Sequence, residues 1–145
     1  MQLQPFHIAI PVNDLVAARR FYIDLLGCSE GRSSEEWVDF NMHGHQVVCH
    51  LVNSFAASSL SKNAVDSEEV PIPHFGVVLA WNDWEELARH LSSLNATFIL
   101  KPDVRFVGQP GEQATFFIND PAGNVLEFKA LRKPENLFAR NKDGH

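Results

Sequence analysis

One order of elements is written into this chain twice, and that duplication limits the fold more than any other feature. The first half opens with Pro5-Phe6-His7-Ile8-Ala9-Ile10-Pro11-Val12, where Phe6, Ile8, Ile10 and Val12 alternate with His7, Ala9 and Pro11 at strand period. Asn13-Asp14 supplies a helix cap, and Leu15, Ala18, Phe21, Tyr22, Leu25 and Leu26 recur at helical spacing until Gly27 ends the run. Strands are expected over 28–33, 36–42 and 45–52, the last two joined through Asn41-Met42-His43-Gly44 as an antiparallel hairpin. The second half restarts at Pro73-His74-Phe75-Gly76-Val77-Val78-Leu79-Ala80-Trp81, and caps a helix with Asn82-Asp83. That helix carries Trp84, Leu87, Ala88, Leu91 and Leu94, and strands follow at 97–100, 113–118 and 125–130. Residues 53–70, rich in Ser, Ala, Asn and acids, show no sustained period and read as a linker; Lys101 to Gly111 reads as a long loop. The expectation is an α+β fold of two tandem βαβββ modules, 5–54 and 72–130, with a linker at 55–71 and a polar tail at 131–145. Repeated units bury their apolar faces together, so one compact domain with a curved mixed sheet is expected.

Composition narrows the function classes. With 145 residues and 45% hydrophobic content, the chain is long enough for one substantial core. Twelve basic residues against 18 acidic ones, net −6, argue against nucleic acid as a partner. No apolar run approaches the roughly 18 residues of a membrane helix. Met1-Gln2-Leu3-Gln4 lacks the basic start of a signal peptide, so a cytoplasmic protein without membrane contact is expected. Cys28 and Cys49 have no CxxC spacing and are expected to be free thiols in a reducing compartment.

The chemistry gathers at Glu127. In the strand that follows Asp120-Pro121-Ala122-Gly123-Asn124, Leu126, Phe128 and Ala130 share one face, while Val125, Glu127 and Lys129 share the other. Burying an unpaired carboxylate costs several kcal/mol or forces protonation, so Glu127 calls for a cation, a hydrogen-bond set or a metal. His7 and His74 occupy matching places in the opening strands, six residues before Asn13 and eight before Asn82; a difference of two preserves the face. A lone strand histidine is more often a hydrogen-bonded core or surface residue than a ligand. The symmetry is what raises these two. Two imidazoles and one carboxylate form the donor set of the facial triad that suits non-haem Fe(II), and Mn(II), Zn(II) or Ni(II) also accept it.

Taken together, the paired units, the opening strand with His7, the Phe21-Tyr22 to Leu26-Gly27 helix end, His74, and Asp120-Pro121-Ala122-Gly123-Asn124-Val125-Leu126-Glu127-Phe128 resemble the vicinal oxygen chelate superfamily. That group includes glyoxalase I, extradiol ring-cleaving dioxygenases, fosfomycin-resistance enzymes and bleomycin-resistance proteins, and the likeness covers about residues 5 to 130. It implies metal ligands at His7, His74 and Glu127, the same three residues. Aligning Gly44 with Gly123 puts Val48 where Glu127 stands, so the fourth ligand of a glyoxalase I is missing. Three ligands lean toward an extradiol dioxygenase, whose Fe(II) holds both oxygens of a catechol-like substrate together with O₂.

Around this centre, alternation brings Gln46, Val48 and His50 to the same side, with Gln46 and Val48 expected to line the substrate and His50 the candidate general acid or base. Arg105 and Gln113 flank the long loop and are expected to bind substrate, Arg105 through an anionic oxygen. Three other readings remain open: an isomerase of glyoxalase kind, a thiol-transferase metalloenzyme, and a metal-free protein that sequesters a ligand as bleomycin-resistance proteins do. Edge strands offer a route to a homodimer.

Overall fold

The computed structural model describes residues 1–55, 61–65 and 68–140. Two four-stranded sheets carry the duplication. In the first, β1 (His7–Val12) runs parallel to β4 (His45–Leu51), β4 antiparallel to β3 (Trp37–Met42), and β3 antiparallel to β2 (Ser29–Ser33), in the order β1-β4-β3-β2. In the second, β7 (Phe75–Val78), β8 (Phe98–Arg105), β9 (Gln113–Asn119) and β10 (Val125–Leu131) take the order β7-β10-β9-β8, again with the first strand parallel to the last. The mixed α+β class and the βαβββ grammar are therefore as the pattern of residues foretold.

Helix α1 (Leu15–Arg19) starts where Asp14 caps it, the carboxylate accepting from the Ala17 N–H at 3.0 Å. It widens into a π turn over Arg20–Leu25, where the Leu26 N–H reaches back five residues to the Phe21 carbonyl, and Gly27 closes it at φ 76°. The widened turn sets Tyr22 in the core, stacked on Phe40 with ring centres 5.0 Å apart. Helix α2 (Trp81–Ser93) lies over the apolar face of the second sheet, where Trp84 packs on Phe116 and donates from its indole to the Phe128 carbonyl at 2.9 Å.

Contacts divide the chain into two compact units. One holds residues 1–59 with 120–124, the other 60–119 with 125–145. The short insert is explained by its carboxylate. Asp120, buried, accepts from the Tyr22 hydroxyl at 2.9 Å and from the Ala122 and Asn124 N–H groups, while the Asn124 amide donates to the Pro11 carbonyl at 2.8 Å.

Four expectations are corrected. The stretch read as a linker at 55–71 contains an antiparallel hairpin, β5 (Ser61–Val65) and β6 (Glu68–Ile72), although 56–60, 66 and 67 lie outside the described residues. Its strands are polar, with Val65 and Val70 packing on Phe117 and Val125, so no apolar alternation announced them. Strand β8 reaches Arg105, which shortens the loop; it lies at the sheet edge, where Pro102 costs no ladder bond. Helix α2 begins at Trp81 rather than after Asn82-Asp83, with the Trp81 indole donating to Glu85 one turn on. The tail read as starting at 131 begins later: Leu131 ends β10, and Arg132 donates its N–H to the Glu112 carbonyl. Among the described residues no helix is long and apolar enough to cross a membrane.

Candidate functional site

Glu127 stands in β10, paired on one side with Gly76 of β7 and on the other with Phe117 of β9, and it is 9% exposed. Its carboxylate is not left bare. Thr115 donates its hydroxyl to Oε1 at 2.7 Å, Lys129 Nζ lies 3.9 Å from the same oxygen, and His74 Nε2 is 3.0 Å from Oε2. His74, just ahead of β7, has its Nδ1 2.7 Å from the Pro71 carbonyl and its ring edge on Phe117. A carbonyl only accepts, so Nδ1 carries a hydrogen. Nε2 then faces a carboxylate, which also only accepts. A proton or a cation at Nε2 reconciles the two.

In the other unit, His7 has its Nδ1 2.7 Å from Gln46 Oε1, its direct partner in the parallel ladder. The Gln46 amide donates in turn to Asp39 Oδ2 at 3.1 Å, and Arg32 lies 3.8 Å from that oxygen. The carboxylate fixes the chain of roles. It takes the NH₂ of Gln46, which turns the amide oxygen to His7, and His7 donates from Nδ1. Both histidines are therefore held through Nδ1 by an oxygen, with Nε2 left as the donor nitrogen. This is the outer-shell arrangement that fixes the tautomer of a metal-binding imidazole.

The structure brings His74 and Glu127 together and puts His7 in the other unit; among the described residues no group of three or more His, Cys, Asp or Glu side chains is gathered to hold an ion. Val48 is buried in the row between Ala9 and Asp39. His50 is exposed near the end of β4, opposite Pro11 and Trp37, four residues and about 13 Å along the strand from Gln46. Gln46 is engaged with His7 and Asp39, a positioning part rather than a free amide. Arg105 is buried and sits opposite Gln113 in the β8–β9 ladder, on Glu127's side of the sheet.

Sequence reasoning missed Thr115 and Asp39. Each could have been found by continuing the alternation one strand further: Thr115 and Phe117 follow Glu127's face, and Asp39 and Asn41 follow that of Val48 and Gln46. The two thiols have no part in such chemistry. Burial pushes Cys28 up to about 12 and Cys49 higher still, so both are protonated at neutral pH. Tyr22 is likewise held neutral, first by burial and then by the charge of Asp120.

Comparison with known proteins matches this arrangement to a family. The glyoxalase/bleomycin resistance protein/dioxygenase superfamily matches over residues 4–128. A glyoxalase/bleomycin resistance protein/dioxygenase from Alicyclobacillus acidocaldarius is similar at 29% identity and a TM-score of 0.78, covering 92% of this chain and 96% of its own. The fold is also that of the fosfomycin resistance protein FosX from Listeria monocytogenes (18% identity, TM-score 0.64, 94% and 100% covered). Lactoylglutathione lyase from Agrobacterium tumefaciens shares it too (19% identity, TM-score 0.63, 93% and 96% covered). Among proteins of curated function none matches. With most of its length matched, the chain belongs to the glyoxalase/bleomycin resistance protein/dioxygenase superfamily.

Proposed function

We propose that the protein is a metal-dependent dioxygenase of the extradiol type, acting on a small catechol-like aromatic, with His7, His74 and Glu127 as ligands of Fe(II). The observation that carries this reading is the shared polarity of the two imidazoles. Each has its Nδ1 held by an oxygen, and one Nε2 already faces the Glu127 carboxylate across 3.0 Å. When bound, Fe(II) supplies open positions for both catechol oxygens and O₂.

The chain's own groups have distinct tasks in this reading. Gln46, locked by Asp39, holds the His7 ring; the Pro71 carbonyl holds that of His74; Thr115 keeps Glu127 Oε1 engaged and so leaves Oε2 toward His74. Val48 keeps the first sheet's matching position free of a fourth ligand. Lys129, within 3.9 Å of Glu127, balances the carboxylate and can exchange a proton with a hydroxyl presented there. Arg105 and Gln113 bind the substrate beyond the metal. His50, about 13 Å along β4 from Gln46, would act as general acid or base only on a substrate larger than catechol itself.

The test is metal content. Protein purified without oxygen or chelator should carry near-stoichiometric iron, Glu127→Ala should lose it, and the wild type should take up O₂ with a catechol. Zn, Mn or Ni in place of iron would redirect the reading to isomerase, lyase or thiol-transfer chemistry. No metal in the wild type, even after incubation with each ion, would overturn it in favour of a ligand-sequestering protein.

A further inference from the structure

We propose that the second unit holds a carboxylate-binding subsite built on Arg105, so that the aromatic substrate bears a carboxylate besides its two hydroxyls; this rests on the reading above for the hydroxyls alone. Arg105 is 5% exposed, and a guanidinium does not lose its proton on burial. A buried charge needs a partner of opposite sign. Three other arginines have one: Arg19 is forked onto Glu30 at 3.0 to 3.1 Å, Arg132 meets Glu112 at 3.2 Å, and Arg32 approaches Asp39 at 3.8 Å. These are less buried than Arg105. Among the described residues no carboxylate pairs with Arg105 and no group accepts a hydrogen bond from its side chain; its guanidinium carbon lies 5.9 Å from the Phe117 ring centre.

None of the sealed side-chain nitrogens among the described residues lacks a partner. The nitrogens of Arg105 are therefore not fully sealed, and a ligand can reach the donor fork at the surface that remains. The ladder fixes what lies near. Arg105 is opposite Gln113, Thr115 is opposite Lys129, and Phe117 is opposite Glu127, all on one face. Phe117 and the His74 ring meet nearly at right angles, ring centres 5.0 Å apart, and Phe117 lies under Arg105 as well. One aromatic side chain thus separates the open fork from the His74–Glu127 pair. That is the separation spanned by a substituted benzene ring, and a planar carboxylate is the anion that a guanidinium fork takes by two parallel hydrogen bonds. Gln113, beside it, adds an amide.

The experiment compares protocatechuate with catechol, which differ by the ring carboxylate, in equilibrium binding to the full-length metal-free protein followed by tryptophan fluorescence. The wild type should bind protocatechuate at least about tenfold more tightly. Arg105→Met should close that gap, Arg105→Lys should leave it intermediate, and Arg89→Met, which removes an exposed cation from α2, should keep it; melting curves show that each variant is folded, and Arg105→Gln replaces an Arg105 variant that is not. Equal affinities in the wild type, a gap that survives Arg105→Met, or a gap lost in Arg89→Met would each overturn the subsite. O₂ uptake separates the two proposals. A carboxylate preference without uptake would leave the subsite standing and remove the dioxygenase, and uptake with equal kcat/KM for both compounds would do the reverse.

Discussion

Thr115 shows how one hydroxyl can govern a carboxylate. Its 2.7 Å hydrogen bond occupies Glu127 Oε1, so the oxygen opposite His74 is the one left for a cation. Thr115→Val keeps the branched shape that β9 needs and removes the donor. Loss of such an outer-shell bond should weaken metal binding by about 10- to 100-fold, read by chelator competition; unchanged affinity would confine Thr115 to packing. The other residue-scale prediction concerns Cys28, Cys49 and Tyr22. Burial raises all three in the folded state, Cys28 to about 12, so above the ordinary thiol value of 9.0 the unfolded chain gives up protons that the folded chain keeps. The contribution is full below that pH and is lost as pH climbs toward 12. Urea midpoints measured from pH 8 upward should fall, and Cys28→Ala should shallow the fall.

At the scale of elements, β7 and β10 meet so closely at Gly76 that a Cβ there would run into the backbone carbonyl of Glu127. Backbone cannot rotate away as a side chain can. Gly76→Ala should therefore cost about 3 kcal/mol or more by chemical denaturation, whereas Gly111→Ala, with open space around it and no positive φ, should be near neutral. The elements that could be read from sequence were those with a local cause: the alternation of β1, the Asp14 cap, Gly27 after the helix, and the Asn41–Gly44 turn, where the Gly44 N–H donates to Asn41 Oδ1. Those that could not be read depend on neighbours. Trp81 looks like the end of a strand until Glu85 and the guanidinium of Arg132, 3.5 Å from its ring centre, hold it on a helix. Arg105 looks like a loop residue until β9 pairs with it. Of the proposed site, His7, His74 and Glu127 can be picked out by the strand period, but the hydrogen bonds that orient them cannot.

For the whole molecule, the sheet orders β1-β4-β3-β2 and β7-β10-β9-β8 are one design used twice, with unlike residues at matching points. Val48 and Glu127 stand at such a pair, so in the proposed site only the second sheet supplies a carboxylate. Because a metal that binds only the folded chain adds stability, Fe(II) at a hundredfold excess over its dissociation constant should add about 2.7 kcal/mol. Anaerobic thermal unfolding should show the wild type melting a few degrees higher with Fe(II) and Glu127→Ala unmoved. The duplication is nonetheless not a clean seam. Residues 120–124, far along the chain, are counted with the first unit, where Asp120 accepts from the Tyr22 hydroxyl and Asn124 donates to the Pro11 carbonyl. Residues 1–59 therefore do not make up the first unit whole. A fragment of residues 1–59 would bury the Tyr22 hydroxyl without its acceptor, so a split reporter cut at the sequence boundary would regain its fold only where both pieces are made in the same cell.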